Sequence, residues 1–394
     1  MLILILRGER VSKKVFCVAL LVLFVYGSFA LNMEELPFSY ESLTVNAEYD
    51  PLIVVANITL GKRPYCVAAN NETNRVYIGV DNGLIVVDGE TDLVLAEIPL
   101  SNDAVALEVN PLTNRVYVGV YGDNVTVIDG ATNLKVGEIP ERLYDSYELA
   151  VNPITNLVYV GDWTTIAGQF DSVRVYDGGN FQSVTSVALG DTGYIERVGV
   201  AVNPSNNRVY ALWTGNNSLF LIDGSTHMVT NNVVPSYFSR TAIINSYTSY
   251  VYVGTAILNG ETLEEVTPGL ANVIRAADPV HNLVYTVSSP SNLSRLDGST
   301  HISIDSLKLH WSFSSLYDMV AVNTATSKVY ITNYSGNETV VVSAGAPVIP
   351  EFPSDHMIPF LLVATLTGLV ICKRKLRKSR SMDFAKAVKL GKGK

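Results

Sequence analysis

The side chains best suited to catalysis and metal binding are few and scattered. In a sequence, a zinc site or a catalytic site is usually recognised by closely spaced ligands or by a short motif. This sequence contains no motif of a zincin helix, a nucleophile elbow or a phosphate-binding loop. The five histidines and three cysteines show no ligand spacing: His227, His281, His301, His310, His356, Cys17, Cys66 and Cys372. The sequence therefore predicts no catalytic residue, no metal site and no cofactor.

Aromatic and acidic residues suggest a binding surface instead. All three tryptophans and several tyrosines fall in segments of variable length, close to carboxylates, and exposed rings beside such groups suit recognition of a protein or a glycan. The candidate ligand-binding residues are Trp163, Trp213, Trp311, Tyr144, Tyr147, Tyr194, Asp145, Glu148 and Asp162. The alternative is that each tryptophan packs on the rim of its own structural unit, and the sequence leaves both open.

These segments lie within an internal repeat, which is the strongest signal in the chain. Val109–Gly119 (VNPLTNRVYVG) returns as Val151–Gly161 (VNPITNLVYVG) and, less closely, five more times. In all seven copies a tyrosine follows an Asn or Asp by seven residues. These tyrosines, 33 to 51 residues apart, are Tyr77, Tyr117, Tyr159, Tyr210, Tyr252, Tyr285 and Tyr330. Their regular place inside apolar segments predicts packing between units.

Each copy has the pattern of four short strands. Asn-Pro-x-Thr-Asn supplies the first turn, and Arg-Val-Tyr-Val-Gly is typical of a strand buried on both faces. The third strand ends at Asp-Gly, which recurs at 88, 129, 177, 223 and 297, with Asn259-Gly260 in the fifth copy. We interpret these aspartates as turn formers, and we expect their glycines to adopt the positive φ of a tight hairpin.

Four-stranded units at this period are typical of propeller blades, with a parallel solenoid as the alternative. The sequence thus predicts an all-β fold, a seven-bladed β-propeller of four-stranded blades over residues 52–345. The segments Val-Asn-Pro-x-Thr-Asn-Arg-Val-Tyr-Val-Gly and Val-x-Val-Ile-Asp-Gly resemble the YVTN family of propeller repeats on archaeal and bacterial surface proteins. The resemblance is strongest in the first four copies. It implies the fold but no single activity, because propellers serve many.

The seventh copy lacks a fourth strand, which predicts how the ring closes. Its third strand, near Thr339–Ser343, is followed by a Pro-rich segment, whereas Leu52–Leu60 precedes the first copy and resembles a fourth strand. An open propeller would leave an unpaired strand edge. We therefore expect Leu52–Leu60 to pair with Thr339–Ser343.

The two faces of such a ring should differ. The short Asn-Pro-x-Thr-Asn and Asp-Gly turns share one face, and the longer, variable loops share the other, where binding residues are usually found. Arg197, Arg240, Asn272 and Asp318 should lie at the mouth of the central channel, with Glu148 near them. The alternative to a binding or adhesion scaffold is a secreted propeller enzyme, similar to metal-dependent lactonases, or an electron-transfer accessory that uses the channel.

Both ends of the chain have the features of membrane segments. Residues 1–30 combine basic residues, an apolar run and Ser28-Phe29-Ala30, which predicts a signal peptide cleaved after Ala30; an uncleaved anchor is the alternative. Residues 31–51 form a lead-in and 346–356 a Pro-rich stalk, in which IPEFP resembles the Pro-Glu-Phe class of archaeal sorting signals. Residues 357–372 carry no charge and predict a single transmembrane helix, with a buried core helix as the alternative.

The charge distribution fixes the expected orientation. Residues 373–394 carry ten Lys or Arg and one Asp, so we expect them to form a cytoplasmic tail, with the body outside a cell membrane. The first 30 residues carry four basic and one acidic residue, which leaves 14 basic and 35 acidic residues between the ends, a net charge of −21. Such a body would repel nucleic acid. The candidate glycosylation sites are Asn57, Asn71, Asn124, Asn216, Asn292, Asn333 and Asn337.

Overall fold

Each copy of the repeat folds into a four-stranded antiparallel sheet. The computed structural model describes residues 48–348 except 145–148, 163–169, 191–196, 238, 240, 268–269, 271, 289–290, 314–318 and 346. The predicted signal peptide, transmembrane helix and tail lie outside the described residues, as do residues 31–47 of the lead-in and 349–356 of the stalk. Tyr49–Ala346 forms one compact unit. In the part of the chain described, no helix is long and apolar enough to cross a membrane.

The strands follow the repeat copy by copy. Before the first copy come β1 (Glu48–Tyr49) and β2 (Ile53–Thr59), and blade 1 consists of β3 (Pro64–Asn70), β4 (Arg75–Val80), β5 (Gly83–Asp88) and β6 (Val94–Pro99). Blades 2 to 4 consist of β7 (Ala104–Asn110), β8 (Arg115–Val120), β9 (Val125–Asp129) and β10 (Leu134–Ile139); β11 (Leu149–Asn152), β12 (Leu157–Asp162), β13 (Asp171–Asp177) and β14 (Ser183–Gly190); and β15 (Val198–Asn203), β16 (Arg208–Trp213), β17 (Ser218–Asp223) and β18 (Met228–Val233).

Blades 5 and 6 have the same order. Their strands are β19 (Ala242–Asn245), β20 (Tyr250–Val253), β21 (Ala256–Asn259) and β22 (Glu265–Thr267); and β23 (Val273–Asp278), β24 (Leu283–Ser288), β25 (Asn292–Asp297) and β26 (Ser303–Lys308). The last copy supplies three strands, β27 (Val320–Asn323), β28 (Lys328–Asn333) and β29 (Glu338–Ser343). A separate two-stranded sheet pairs β1 with β30 (Pro347–Val348).

The ring closes through the two ends of the chain. β2 pairs with β29 as the fourth strand of blade 7, with Ile53 opposite Ser343 and Thr59 opposite Glu338. The innermost strands β3, β7, β11, β15, β19, β23 and β27 contact one another in turn, and β27 contacts β3. The predicted pairing of Leu52–Leu60 with Thr339–Ser343 is confirmed, and so is the seven-bladed propeller.

The middle strands of each blade are buried because neighbouring blades cover both of their faces. In β4, Val76, Tyr77, Ile78 and Val80 are fully buried, whereas β6 alternates between exposed and half-buried residues. The seven repeated tyrosines are at most 1% exposed. Tyr330 of blade 7 packs against Val76 of blade 1, so the prediction that these tyrosines pack between blades is confirmed.

A buried asparagine explains the first turn of the repeat. The Oδ1 of Asn110 accepts hydrogen bonds from the backbone N–H groups of Leu112 (3.0 Å) and Thr113 (3.2 Å), which shapes the turn. Its Nδ2 donates to Oδ1 of Asn156 in the next blade at 2.9 Å. Equivalent side-chain links of 2.7 to 2.9 Å join five of the seven blade junctions. The asparagines therefore shape turns and tie blades together.

The Asp-Gly turns are real, and the aspartate stabilises them. The Oδ1 of Asp129 accepts hydrogen bonds from the backbone N–H groups of Ala131 (3.1 Å) and Thr132 (2.9 Å) and from Oγ1 of Thr132 (3.0 Å). The same pattern recurs at Asp88, Asp223 and Asp297. The interpretation of these aspartates as turn formers is confirmed.

The reason for the glycine, however, differs from our expectation. The residue with positive φ in this turn is Asn133 (φ 60°), and Gly130 is not in that region. A Cβ atom on Gly130 would lie 2.4 Å from Oδ1 of Asn114 and 2.8 Å from the hydroxyl of Tyr77 in the preceding blade. The expectation of a positive φ at these glycines is wrong; glycine is required because the neighbouring side chains approach the backbone too closely for a Cβ.

Arg295, on β25 of blade 6, holds both ends of the propeller together. Its side chain is fully buried, and it pairs with Asp305 at 2.8 and 3.0 Å. The guanidinium also donates to the backbone carbonyl of Asp50 at 2.8 Å and to that of Ala344, and it lies 4.8 Å from the ring centroid of Tyr49. We call this set of contacts the closure clamp.

Candidate functional site

The variable loops form one face of the ring, as predicted, and we call it the variable face. On the opposite face the two short turns of each blade lie side by side, with the N–H of Gly89 donating to the carbonyl of Asn74 at 2.8 Å. On the variable face the loop after β4 lies beside the crossing from β6, where the N–H of Leu100 donates to the carbonyl of Asn82 at 3.1 Å. The antiparallel order of the strands imposes this separation.

A cluster of aromatic and charged groups lies on the variable face where blade 7 meets blade 1. It consists of Arg63, Tyr65, Asp81, Asp103 and Tyr334, and we call it the seam cluster. The guanidinium carbon of Arg63 lies 5.9 Å from the ring centroid of Tyr65 and 5.7 Å from that of Tyr334. The two rings meet edge to face at 5.5 Å. Such cation–π and edge-to-face contacts hold the rings in a fixed orientation.

The charges of the seam cluster balance one another. Arg63 donates two side-chain hydrogen bonds to Oδ1 of Asp81, at 2.7 and 3.0 Å. Burial alone would raise the pKa of Asp81, but these bonds outweigh it and hold the pKa below its usual value. The hydroxyl of Tyr65 lies 2.9 Å from Asp81 and 2.8 Å from Asp103, and burial together with these carboxylates raises its pKa. Tyr65 is therefore a neutral hydrogen-bond donor.

A second aromatic pair lies further round the variable face. Tyr121 is 47% exposed, and its ring meets that of Tyr144 at 5.4 Å, edge to face. The guanidinium carbon of Arg197 lies 6.0 Å from the ring centroid of Tyr144. The variable face thus carries the same arrangement, a pair of tyrosine rings beside an arginine, at two places.

The two described tryptophans, Trp213 and Trp311, do not form the predicted exposed surface. Trp213 is the last residue of β16 and is 6% exposed, with its Nε1 donating to Oδ2 of Asp171 at 2.8 Å. Trp311 is half-buried and packs against the core cluster that contains Leu309. The expectation that Trp213 lies in an exposed loop is wrong, because a neighbouring carboxylate satisfies its N–H and allows burial. Trp163 lies outside the described residues.

The remaining predicted binding residues divide into two groups. Tyr144 belongs to the second aromatic pair, and Asp162 is held by Arg174, whose Nη2 lies 2.8 Å from its Oδ2. Four others lie outside the described residues: Asp145, Tyr147, Glu148 and Tyr194. Sequence reasoning did not include Arg63, Tyr65 and Asp81. The signal that would have found them is ring closure itself, which brings Tyr334 next to the start of the first copy.

The central channel contains a cavity of about 380 Å³. Its wall is formed mainly by alanine, valine and isoleucine of the innermost strands, together with Glu108 of β7 and Arg275 of β23. Among the predicted channel-mouth residues, Arg197 and Asn272 directly precede β15 and β23 but do not line the cavity. Arg240 and Asp318 lie outside the described residues.

Glu108 was not singled out from the sequence, although it is the one acidic residue among the described residues that line this wall. Its side chain is half-buried. Burial raises the pKa of Glu108 from 4.5 to about 8, opposed in part by a hydrogen bond from the backbone N–H of Val109. A glutamate with such a pKa is largely protonated at neutral pH, which is a common property of functional carboxyls.

The candidate glycosylation sites differ in accessibility. Asn57, Asn71, Asn216 and Asn337 are exposed, and Asn124 and Asn292 are half-buried. Asn333 is 3% exposed; its Nδ2 donates to Glu338 at 2.9 Å and its Oδ1 accepts from the N–H of Gly336 at 3.0 Å. Asn333 is therefore unsuitable as a surface site in the folded chain, because both ends of its amide are engaged.

Within the described residues, no group of three or more His, Cys, Asp or Glu side chains is placed to hold a metal ion. A scan of the chain against protein-family models finds no match, and no curated protein matches it in sequence. The fold itself is that of a seven-bladed propeller of four-stranded blades, so the chain is a propeller repeat protein.

Proposed function

We propose that the chain is a cell-surface binding protein of the YVTN type, which uses the variable face to bind an extracellular protein or glycan. The repeat segments that resemble this family support the assignment, with the segment 357–372 as the membrane anchor and 373–394 as a cytoplasmic tail. The stalk segment that resembles archaeal sorting signals fits the same location. Ligand binding then depends on which face of the propeller is turned toward the outside of the cell.

The observation that carries the proposal is the seam cluster. Arg63 is exposed beside two tyrosine rings that contact each other edge to face, and Asp81 holds its guanidinium in place. Rigid aromatic rings lose little conformational entropy on binding, and arginine and tyrosine are enriched among residues that dominate binding energy. A sugar ring or an apolar side chain can stack on such a surface while Arg63 provides hydrogen bonds.

Binding screens with matched tyrosine variants test this function. The full-length chain is screened on a glycan array and against extracellular proteins of the same cells, and the best ligand is titrated against Tyr334→Ala. We expect binding about tenfold weaker or more, the typical effect of losing an aromatic anchor, with an unchanged thermal midpoint. The control is Tyr247→Ala, which removes a 45% exposed tyrosine from the opposite face. Equal losses in the two variants would contradict the proposal.

Orientation at the membrane is tested separately. With an epitope tag placed after Lys394, protease added to intact cells should remove the propeller and leave the tag protected, because basic residues resist translocation. Cell fractions are probed with antibodies to the tag and to the propeller. Loss of the tag from cells that retain the propeller would show the opposite orientation.

A further inference from the structure

Exposed apolar side chains are concentrated at one end of the blades. The turn after the first strand and the turn after the third strand of every blade share the face opposite the variable face, and we call it the short-turn face. Among the described residues, ten large apolar side chains are more than half exposed, and eight of them lie at this face. The other two, Phe170 and Val234, lie at the variable end. The exposed apolar surface is therefore distributed unevenly between the two faces.

Five of these side chains lie at the beginning of the outermost strand of a blade. Each is opposite the residue that ends the third strand, which places it beside the turn. They are 52% to 69% exposed, and they are Ile53, Leu93, Leu134, Met228 and Ile302. Blades 3 and 5 have Gln182 and Glu264 at this place, so the fold does not require an apolar residue here.

Three more lie in the turn between the first and second strands. Leu112, Ile154 and Val280 occupy the position two residues after the asparagine or aspartate that shapes the turn, and they are 59% to 67% exposed. Blade 4 has Ser205 at the same position, so a polar residue is again compatible with the turn. Together the two positions give six of the seven blades an exposed aliphatic or methionine side chain on the short-turn face.

The chain leaves the propeller at the same face. The N–H of Ala344 donates to the carbonyl of Ser327, which belongs to the first turn of blade 7, at 2.8 Å. Ser343, directly before it, lies opposite Ile53 in the strand pair that closes the ring. Residues 347–356 then separate the propeller from the segment 357–372, and these ten residues span at most about 35 Å. The proposed membrane anchor therefore keeps the short-turn face close to the bilayer.

The charges of the short-turn face indicate which lipid it can contact. Three basic residues beside the turns pair with carboxylates: Arg115 at 3.5 Å, Arg208 at 2.6 Å and Lys328 at 2.8 Å. The third-strand turns of five blades contribute an aspartate to this face: Asp88, Asp129, Asp177, Asp223 and Asp297. Anionic headgroups would be repelled by these carboxylates. A bilayer of zwitterionic lipid is therefore the suitable partner.

We propose that the short-turn face lies against a zwitterionic lipid bilayer, with its exposed aliphatic side chains inserted among the headgroups. This inference rests on the membrane anchor of the proposed function and adds the orientation of the propeller. A single side chain of this kind binds lipid weakly, but the tether holds several of them at high local concentration beside the bilayer. The variable face is then directed away from the membrane, where an extracellular ligand can reach it.

Fluorescence quenching in lipid nanodiscs tests this contact. The full-length chain carries Cys17→Ser and Cys372→Ser, and Cys66 is buried, so an added cysteine takes the label. The discs consist of phosphatidylcholine, part of which is spin-labelled close to the headgroup. An environment-sensitive fluorophore is attached at Ile302→Cys or, as the control, at Val234→Cys, which is similarly exposed at the variable end. We expect quenching by the lipid to be at least about twofold greater at Ile302→Cys.

A second set of variants tests the apolar side chains themselves. Leu112→Ser, Ile154→Ser and Val280→Ser are combined in one chain, which should fold because blade 4 carries serine at this position. Quenching of the Ile302→Cys probe should fall at least about twofold, whereas Val234→Ser should leave it unchanged. Adding anionic phosphatidylglycerol to the discs should also lower it. Thermal midpoints confirm that the variants are folded.

The outcomes separate this orientation from the anchor on which it rests. Equal quenching at the two probe positions, or no loss of quenching in the triple serine variant, would overturn the orientation and leave the anchor standing if the chain stays with the discs. A chain that does not enter the discs would overturn both. If the Ile302→Cys probe is shielded from iodide in water but not quenched by lipid, in discs that hold two chains, a second copy covers the face and the orientation is again overturned.

Discussion

At the scale of single residues, each blade junction depends on how a turn glycine and a neighbouring asparagine side chain fit together. Where the second turn residue is glycine, as at Gly130, the side chain of Asn114 occupies the space a Cβ would fill. Blade 7 has Ala344 at the equivalent place, and there the asparagine is replaced by Ser327, whose carbonyl accepts the N–H of Ala344 at 2.8 Å. In blade 5 the turn glycine is Gly260, which leaves space for an asparagine side chain, but the position of that asparagine is occupied by Ser249.

The junction between blades 4 and 5 should therefore be improvable. Nδ2 of Asn203 is buried without a hydrogen-bond partner, in the place where other blades reach an asparagine. Ser249 has a φ of 58°, a conformation that asparagine tolerates well. Ser249→Asn should stabilise the domain by about 1 kcal/mol, measured as the free energy of unfolding in denaturant.

The control for this change is Ser327→Asn in blade 7. Ser327 has a similar φ of 52°, but Ala344 occupies the adjoining space. In the preceding blade the equivalent of the donating asparagine is Asp278, whose side chain has no N–H to donate. We expect Ser327→Asn to be neutral or destabilising. A gain in stability equal to that of Ser249→Asn would show that the backbone preference, and not the blade junction, is responsible.

At the scale of the turn, two adjacent glycines in blade 3 separate close approach from backbone freedom. A Cβ on Gly178 would lie 2.6 Å from both Asn156 and the hydroxyl of Tyr117, whereas a Cβ on Gly179 would meet nothing closer than Asp177 at 3.1 Å. Gly178→Ala should cost about 1–3 kcal/mol, the usual effect of overpacking. Gly179→Ala should change stability little, because other blades carry a side chain there.

Unfolding in denaturant, followed by circular dichroism, measures both glycine variants. The comparison is direct because neither glycine has a positive φ, so backbone strain does not distinguish them. If the two variants lose the same stability, the turn backbone, and not contact with the preceding blade, is what requires glycine at Gly178.

The elements of the fold were predictable because their signals are repeated. Seven tyrosines at one position, recurring Asp-Gly turns and the unmatched segment Leu52–Leu60 indicated strands, blades and closure, and a single misread copy would have changed little. The positions of the turns were therefore right even though the reason for their glycines was wrong. The conflict that excludes a Cβ at Gly130 involves Tyr77 of the preceding blade, which no local pattern contains.

The candidate sites were less predictable because each occurs once and is formed by distant residues. Arg63 meets Tyr334 across 271 positions in the sequence, and Asp171, which satisfies the buried Trp213, lies 42 positions away from it. The residue type favoured Trp213 as an exposed binding residue, and only the folded chain shows that Asp171 accepts its N–H. Aligning the copies on their tyrosines would have found Glu108, because a departure from a repeated alanine is visible in the sequence.

At the scale of the whole molecule, closure makes the stability of the propeller depend on both chain ends. Arg295 is fully buried and bonded to Asp305 and to the carbonyls of Asp50 and Ala344. Arg295→Met should cost about 3–5 kcal/mol, because it leaves a partly buried carboxylate and two carbonyls without their donor. Thermal unfolding should remain a single transition at a lower midpoint, since opening blade 7 exposes its neighbours on both sides.

The matched control is Lys135→Met, which removes the exposed ion pair with Glu138. Exposed pairs contribute about 0–1 kcal/mol, so this variant should melt close to the parent. An additional early transition in Arg295→Met, with the main midpoint unchanged, would mean that blade 7 opens without destabilising the rest of the ring.

The pairing in blade 7 also decides how the propeller responds to a mechanical pull. Because β2 is antiparallel to β29, Ile53 lies opposite Ser343 and both chain ends leave from the same end of the strand pair. Tension between the two ends therefore acts on one hydrogen bond at a time, as in unzipping, which is the weaker way to load a pair of strands. The closure clamp lies at this fork, where Arg295 bonds the carbonyls of Asp50 and Ala344. The β1–β30 pair, which lies outside this fork, must therefore separate first, and the contacts of the buried Arg295 are the next to break before β2 can unzip from β29.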